Sequence, residues 1–380
     1  MDSVAAELNA RMVEHLTMHL RGLPDDLSAA IRAVPRHFFV RRGYFEPVPG
    51  SSPTAYRAVQ AGSGSAWLET IYSDQPLVTQ VAGTLFADQM RGEVLRAPSS
   101  SSSEPGLVAF VLKAAALKPG MRVFEAGTGT GWNAGILCAL VGEDNVVTME
   151  ADPTIAEDAR INLAMNGRHP EVVVGDGRAG YAEEAPYDAL IATFGVSRIS
   201  PEWLEQVRPG GVIIAGIRGR LEAHGLARLV VGDDGTAEGA FLSTGNYMQA
   251  RQELAPEMVR LPDPVTGKRR TTRVPADLLN DPAARLIADN AIPTFQQFPG
   301  MQLDASQPPA DWFVDADTGS FAIVETKDGR TTVNQGGPDS DAWARVESGL
   351  LAWQAAGSPP VEQLRIVATG EGQSIGAPSA

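Results

Sequence analysis

From Met121 to about Gly219 the chain repeats one pattern, a short and almost wholly apolar run followed by a segment of helical periodicity. MRVFEAG precedes GWNAGILCALVG, and NVVTME precedes DPTIAEDARINLAMN. EVVVGDG, YDALIATFG and GGVIIAGIRG read as further strands, with SPEWLEQV helical before the last of them. Apolar runs without alternation are strands covered on both faces, and strands alternating with helices build parallel βαβ units. The expected fold is therefore α/β, a doubly wound and mostly parallel sheet.

That domain does not use up 380 residues. Upstream, Val4, Leu8, Met12 and Leu16 recur at helical spacing, and a second helix is expected after Pro24, so helices fill residues 1–45. Tyr44 to Gly64 is rich in Pro, Gly and Ser and reads as loop, and residues 78–90 as a short helix. Ser99 to Ser103 is a serine run of linker composition. It leads into PGLVAFVLKAAAL, a helix with Pro in its first turn that a preceding hydroxyl can cap. Downstream, GDDG sits between two apolar runs as a hairpin signal, and KRRTTR (Lys268 to Arg273) reads as a charged loop. WFVDADTGSFAIVETKDGRTTVNQGG reads as antiparallel strands, SDAWARVESGLLAWQAAG as a helix and LRIVATG as a final strand. The expected division is 1–220 and a smaller α+β region over 221–380.

Composition excludes several classes. Lys and Arg total 31 against 46 Asp and Glu, a net charge of −15, which argues against a nucleic-acid surface. The one cysteine, Cys138, permits no intrachain disulfide and no multi-thiolate zinc site, and no metal is expected. No run of about 18 apolar residues exists, so no membrane span is expected. The N-terminus lacks a signal-peptide core, and a cytoplasmic protein is the expectation.

The segment VFEAGTGTGW, Val123 to Trp132, carries the chemistry. A glycine-rich turn between the first parallel strand and its helix lets a ligand approach the backbone closely. Two ligands compete for it. A dinucleotide site wants G-x-G-x-x-G and a pyrophosphate at the helix N-terminus. Here Gly127, Gly129 and Gly131, with Thr128 and Thr130 between them, give G-x-G-x-G, and Glu125 stands just before them. A carboxylate there repels pyrophosphate and suits the ammonium group of S-adenosylmethionine (AdoMet). Glu150 ends the second strand, where an acid can accept from ribose hydroxyls. Asp176 and Gly177 end the third, where an acid can accept from an adenine amino group. Trp132, at the loop, is a candidate cofactor contact and otherwise core.

These residues carry a family resemblance. VPRHFFV, IYSDQPL, SSSEP before a helix, EAGTGTGW, GDGRAGYAEEAPYDALI and VRPGGVII follow the order seen in protein-L-isoaspartate O-methyltransferases, which the chain resembles over about residues 25–220. The resemblance implies a class I AdoMet-dependent methyltransferase of Rossmann-like fold. It implies that Ser103 lies at the active centre beside cofactor and substrate, with Ser102 as its neighbour. The chain departs from the pattern in the RAPSSSS lead and in a longer segment between Asp74 and Ser99. It departs also in residues 221–380, which are taken as absent from ordinary repair enzymes. That combination resembles actinobacterial homologues that methylate aspartate in lanthipeptide or graspetide biosynthesis.

The activity so implied is methylation of an aspartate in a ribosomally made, macrocyclised precursor peptide. Its ester closes to a succinimide (aspartimide) and can open to isoaspartate. The alternative is isoaspartate repair. A carboxylate nucleophile is already ionised at neutral pH, so no general base is required. Ser103 and the helix N-terminus near Pro105 are expected to meet that anion. Arg36, Arg41, Arg42 and Arg96 are expected to form a positive patch at the site mouth, offsetting the net negative charge. His37 and Cys138 read as packed core residues, and Asp188 as support for its strand.

Overall fold

A computed structural model describes residues 3–245, 247–257, 260–303 and 308–378. The chain forms two compact units, residues 1–193 with 205–214, and residues 194–204 with 215–380. The division falls inside two long strands, Tyr187–Val196 and Val207–Ile217, rather than at residue 220.

The first unit contains the expected parallel core. Val123–Ala126 pairs in parallel with Val146–Glu150 on one side and with Tyr187–Val196 on the other, and Val146–Glu150 pairs with Glu171–Val174. Every residue of the first two strands is buried, which is why neither alternates in polarity. Helix Trp132–Val141 is buried along most of its length. Helix Pro153–Met165 starts where the sequence says it should. Pro153 occupies its first turn, and Asp152 Oδ1 accepts from the backbone N–H groups of Thr154 and Ile155.

In front of this core lie helices Ser3–His19 and Asp25–Ala33, as expected, and then an unexpected second sheet. Tyr44–Pro47 and Tyr56–Val59 are strands, not loop. Residues 78–90 are not helical; they hold strands Leu77–Val81 and Leu85–Phe86 and a 3-10 turn. The serine run is no linker: Pro98–Ser102 is a strand paired antiparallel with Leu77–Val81. Serine is depleted in strands by intrinsic preference, and the backbone ladder overrides this here.

The second unit holds two antiparallel arrangements. Gly225–Val231 and Ala237–Ser243 form the hairpin signalled by GDDG, and Arg365–Ala368 and Gln373–Gly376 extend it. A five-stranded sheet runs in the order Lys268–Thr271, Arg330–Gly336, Phe321–Lys327, Ala310–Val314, Gln296–Met301. KRRTTR thus begins as an edge strand rather than a loop, with Arg269 bonded to Glu325 and Arg270 to Glu347. Charged edges of this kind discourage pairing with another chain. Helix Ala342–Ala355 buries Trp343 against Phe313, ring centroids 4.8 Å apart. Among the described residues no helix is long and apolar enough to cross a membrane.

Candidate active site

The glycine loop turns at positive φ at Gly127 (97°), Gly129 (52°) and Gly131 (88°), a conformation that L side chains rarely adopt. A methyl group added at Gly129 would stand 3.3 Å from the Ser101 carbonyl, so the serine strand lies directly against the loop. The two segments that the sequence singled out are brought together by this contact.

Three acids converge at the ends of successive parallel strands. Glu150 Oε2 accepts from the Gly129 N–H at 2.9 Å, and its Oε1 accepts from the Asp152 N–H at 3.1 Å. Glu125 lies one layer lower and is fully buried. Its oxygens accept from Asn133 Nδ2 at 2.7 Å and from the Thr148 hydroxyl. Burial pushes its pKa up to about 7, against the pull of those two bonds, and Glu150 adds to the rise. Asp176 is partly exposed and gripped by Arg178 through Nε and Nη2, besides capping its own turn. Burial raises its pKa, but the Arg178 bonds outweigh that and hold it below the usual carboxylate range. Gly177 follows, buried, in the same turn.

Of the loop threonines Thr128 is buried and Thr130 is half-buried at the pocket. The Thr128 and Thr148 hydroxyls lie 2.7 Å apart, and the Thr130 carbonyl accepts from Asn162. Trp132 is packed in the core. Its indole N–H donates to the Val34 carbonyl at 2.9 Å, and its ring lies 5.3 Å from the Arg36 guanidinium.

The two serines separate. The Ser102 side chain is buried, and its hydroxyl accepts from Arg36 Nε at 3.2 Å, so it is structural. Ser103 is half-buried, and its hydroxyl has no hydrogen-bond partner among the described residues, which leaves it available. The helix after it, Pro105–Ala115, carries no side-chain cap from a serine; Asp74 Oδ1 accepts from the Gly106 N–H at 2.7 Å instead. Part of the expected anion-binding N-terminus is thereby used internally.

Of the four arginines expected to form a positive patch, three are engaged within the fold, while Arg96 is exposed and donates to the Leu95 carbonyl. Arg36 is completely buried and donates to the carbonyls of Ile71, Ser73, Gln75, Ser102 and Ser103. Burial pulls its pKa down to about 9, with Asp74 and Glu104 opposing, so it remains a cation at neutral pH. Arg41 and Arg42 are both bonded to Asp158, and Arg42 also to Asp88. An open pocket lies beside Arg41, Arg42 and the loop, lined by Thr79, Ser100, Gly129, Thr130, Asp158 and Asn162 among others. Residues read as support behave as such. Asp188 accepts from the Arg122 N–H and from Arg208, His37 Nδ1 meets the Tyr72 hydroxyl, and burial pushes the Cys138 thiol up.

Sequence reasoning missed Arg36 as the organiser of the serine turn, and it missed Asp74, Gln80 and Asp152. Polar residues inside short strands carry no periodic signal; only the Asp-Pro pair at 152–153 was a readable cap.

Comparison with known proteins follows this geometry. Residues 71–249 match the family model described as protein-L-isoaspartate(D-aspartate) O-methyltransferase. A protein-L-isoaspartate O-methyltransferase of Pyrococcus horikoshii is 43% identical over 113 residues, 30% of this chain and 51% of that relative. The chain thus spans about half the length of this relative. A solved structure titled protein-L-isoaspartate O-methyltransferase superimposes with a TM-score of 0.60 at 21% identity, covering 97% of this chain and 99% of that one. It shares the Rossmann-like α/β fold, and it aligns through residues 221–380 as well. An isoaspartate methyltransferase of Methanoculleus marisnigri is 33% identical over 222 residues, 58% of this chain and 80% of the relative. With four-fifths of that relative matched at this identity, the chain belongs to the protein-L-isoaspartate O-methyltransferase family.

Proposed function

We propose that the protein is an AdoMet-dependent carboxyl O-methyltransferase acting on isoaspartyl residues of proteins or peptides. The observation that carries this reading is the packing of the serine strand, which leads into the available Ser103 hydroxyl, against a glycine loop flanked by Glu125 and Glu150, with Asp176 past the end of the next parallel strand. The donor set suits AdoMet. A pyrophosphate would need the loop N–H groups, and the Gly129 N–H already serves the Glu150 carboxylate. Two buried acids beneath and beside the loop favour a ligand with positive charge and hydroxyls.

The bound cofactor supplies an electrophilic methyl group on sulfonium. The chain's own contribution is positioning. The substrate carboxylate arrives ionised, so no protein base is needed. Ser103 donates to one carboxylate oxygen and leaves the other to react. Arg36 holds the Ser102 and Ser103 carbonyls, fixing the turn from which that hydroxyl projects. The buried cation also favours an anion at the turn without direct contact. The methyl ester then closes to a succinimide as the following backbone amide nitrogen attacks the ester carbonyl, the C–O bond to the methoxy group breaks and methanol leaves with the amide proton, a step internal to the substrate.

The second reading, methylation of an ordinary aspartate in a macrocyclic precursor peptide, rested chiefly on residues 221–380. Because a solved isoaspartate methyltransferase aligns across them, they do not favour that reading. One experiment tests both. An isoaspartyl peptide, its aspartyl counterpart and a macrocyclic aspartyl peptide are incubated with AdoMet and followed by mass. Methyl gain, or its loss-of-methanol product, on the isoaspartyl peptide alone supports repair-type activity. Gain only on the macrocycle replaces it with tailoring.

A further inference from the structure

Strand Leu77–Val81 is irregular, and the irregularity has a direction. Its ladder with the serine strand pairs Val78 with Ser101, Gln80 with Ser100 and Val81 with Pro98. Thr79 is thus an extra residue on one strand and Ser99 an extra residue on the other. Thr79, Gln80 and Val81 are all buried, so this stretch of the strand is covered on both faces. The irregularity falls at Thr79 and Gln80, where Thr79 lines the pocket beside the loop and Gln80 makes buried side-chain bonds.

Gln80, 1% exposed, lies between the serine strand and the acids at the end of the second parallel strand. Its Nε2 donates to Asp152 Oδ2 at 3.0 Å, and its Oε1 accepts from the Ser99 hydroxyl at 2.7 Å. The direction of each bond is dictated. Asp152 as a carboxylate only accepts, so the carboxamide nitrogen must face it. The Ser99 oxygen accepts from the Gly83 N–H at 2.9 Å, so its proton goes to Gln80. From Asp152 the connection continues through its own N–H to Glu150 Oε1, and from Glu150 Oε2 to the Gly129 N–H. An unbroken line of hydrogen bonds runs from Ser99 on the serine strand to the glycine loop.

We propose that Gln80 is a positioning residue that couples occupancy of the cofactor site at Glu150 to the placement of the serine strand carrying Ser102 and Ser103. The inference rests on the cofactor reading above and adds to it. A ligand that engages Glu150 fixes that carboxylate. The fixed Glu150 fixes Asp152, and Gln80 passes the constraint to Ser99, on the strand that ends at Ser102. Substrate then meets a seated Ser103 hydroxyl only when the cofactor is in place.

The test is hydrogen exchange with and without S-adenosylhomocysteine, together with cofactor affinity by calorimetry, on the full chain. In the wild type the ligand slows exchange at residues 127–131 and also at 98–102. In Gln80→Met the slowing at 127–131 persists, that at 98–102 is lost, and the dissociation constant rises about ten-fold. Ser99→Ala cuts the line on the far side of Gln80. It keeps the dissociation constant within about two-fold of wild type, loses the slowing at 98–102 and lowers turnover. This second variant decides the matter if Gln80→Met does not fold. Slowing at 98–102 that survives in both variants, or that is absent in the wild type while 127–131 responds, overturns the coupling. No response at 127–131 in the wild type overturns the cofactor reading itself, and the two failures are thus distinct.

Discussion

Glu125 and Thr148 face each other across adjacent parallel strands, and the Thr148 hydroxyl donates to the Glu125 carboxylate at 2.5 Å. With Asn133 on the other oxygen, the carboxyl group is fully bonded yet fully buried, and burial sets its pKa near 7. Below about pH 4.5 the group is protonated in both folded and unfolded chains. Between there and pH 7 the folded state holds the proton more tightly, so stability falls as pH rises through that window. The size is on the order of 3 kcal/mol. Glu125→Gln removes this slope, as urea denaturation at pH 5, 6, 7 and 8 of both proteins would read. A cationic ligand favours the ionised form, so wild-type cofactor binding strengthens as pH rises through 7 and releases protons below it. Calorimetry in buffers of different ionisation enthalpy measures that release, and a pH-independent affinity in the wild type would contradict it.

Ser103→Ala removes a hydroxyl with no internal partner. Turnover on an isoaspartyl peptide is expected to fall about ten-fold or more, in line with the loss of one hydrogen bond to a charged group. Cofactor affinity stays within about two-fold. Ser102→Ala, by contrast, is expected to lower the melting temperature, because Arg36 Nε loses its acceptor. Equal losses of affinity and turnover in Ser103→Ala would mean that the serine belongs to the cofactor site.

Arg36→Met leaves five carbonyls without their donor, those of Ile71 and Ser102 in buried bonds and those of Ser73, Gln75 and Ser103 in part-buried ones. The expected loss is about 3 kcal/mol or more, read by urea denaturation. Arg36→Lys recovers only a minority of it, since one ammonium carries three donors in a compact group and cannot span the guanidinium's fan of acceptors. Full rescue by lysine would show that charge rather than geometry is what the site requires.

In the second unit Asp289 is fully buried and accepts from the backbone N–H groups of Gly219, Leu221 and Ala223. Asp289→Asn turns an NH₂ toward one or more of these donors. A destabilisation of about 2 kcal/mol is expected from the unmade bonds. Burial pushes the Asp289 pKa up to about 7, so the wild type loses stability as pH rises from about 4 to 7, and the variant, which keeps only the Glu125 contribution, loses less. Denaturation of both proteins at pH 5 and 8 checks the sign; a variant deficit that grows with pH contradicts it.

The parallel core was legible because both signals, unbroken apolar runs and capped helices, arise from burial on two faces, as at Val146–Glu150 and Asp152–Pro153. Its glycine loop and its acids were legible for the same reason, being fixed at strand ends. The serine strand was not. Ser99 to Ser102 pair through backbone groups, and their side chains are used in polar contacts that leave no periodic trace. Arg36 misled in the same way: a cation in the sequence suggests a surface, and only the fold shows carbonyls from two distant turns pointing at it. Arg41 and Arg42 do not form a free charge patch because Asp158, far along the chain, pairs with both and Asp88 pairs with Arg42.

Arg36 lies outside the stretch 71–249 that carries the family match, yet it closes the turn that bears Ser102 and Ser103. Val34 likewise seats Trp132 from outside that stretch. A fragment cut at residue 71 would keep the glycine loop, the three acids and both serines, and it would lack the cation that shuts the serine turn. What this protein must pass on as one piece is therefore longer than its motifs. Any exchange of cofactor-binding segments between relatives has to carry the opening helices along, or the transplanted centre arrives with its parts present and its hinge undone.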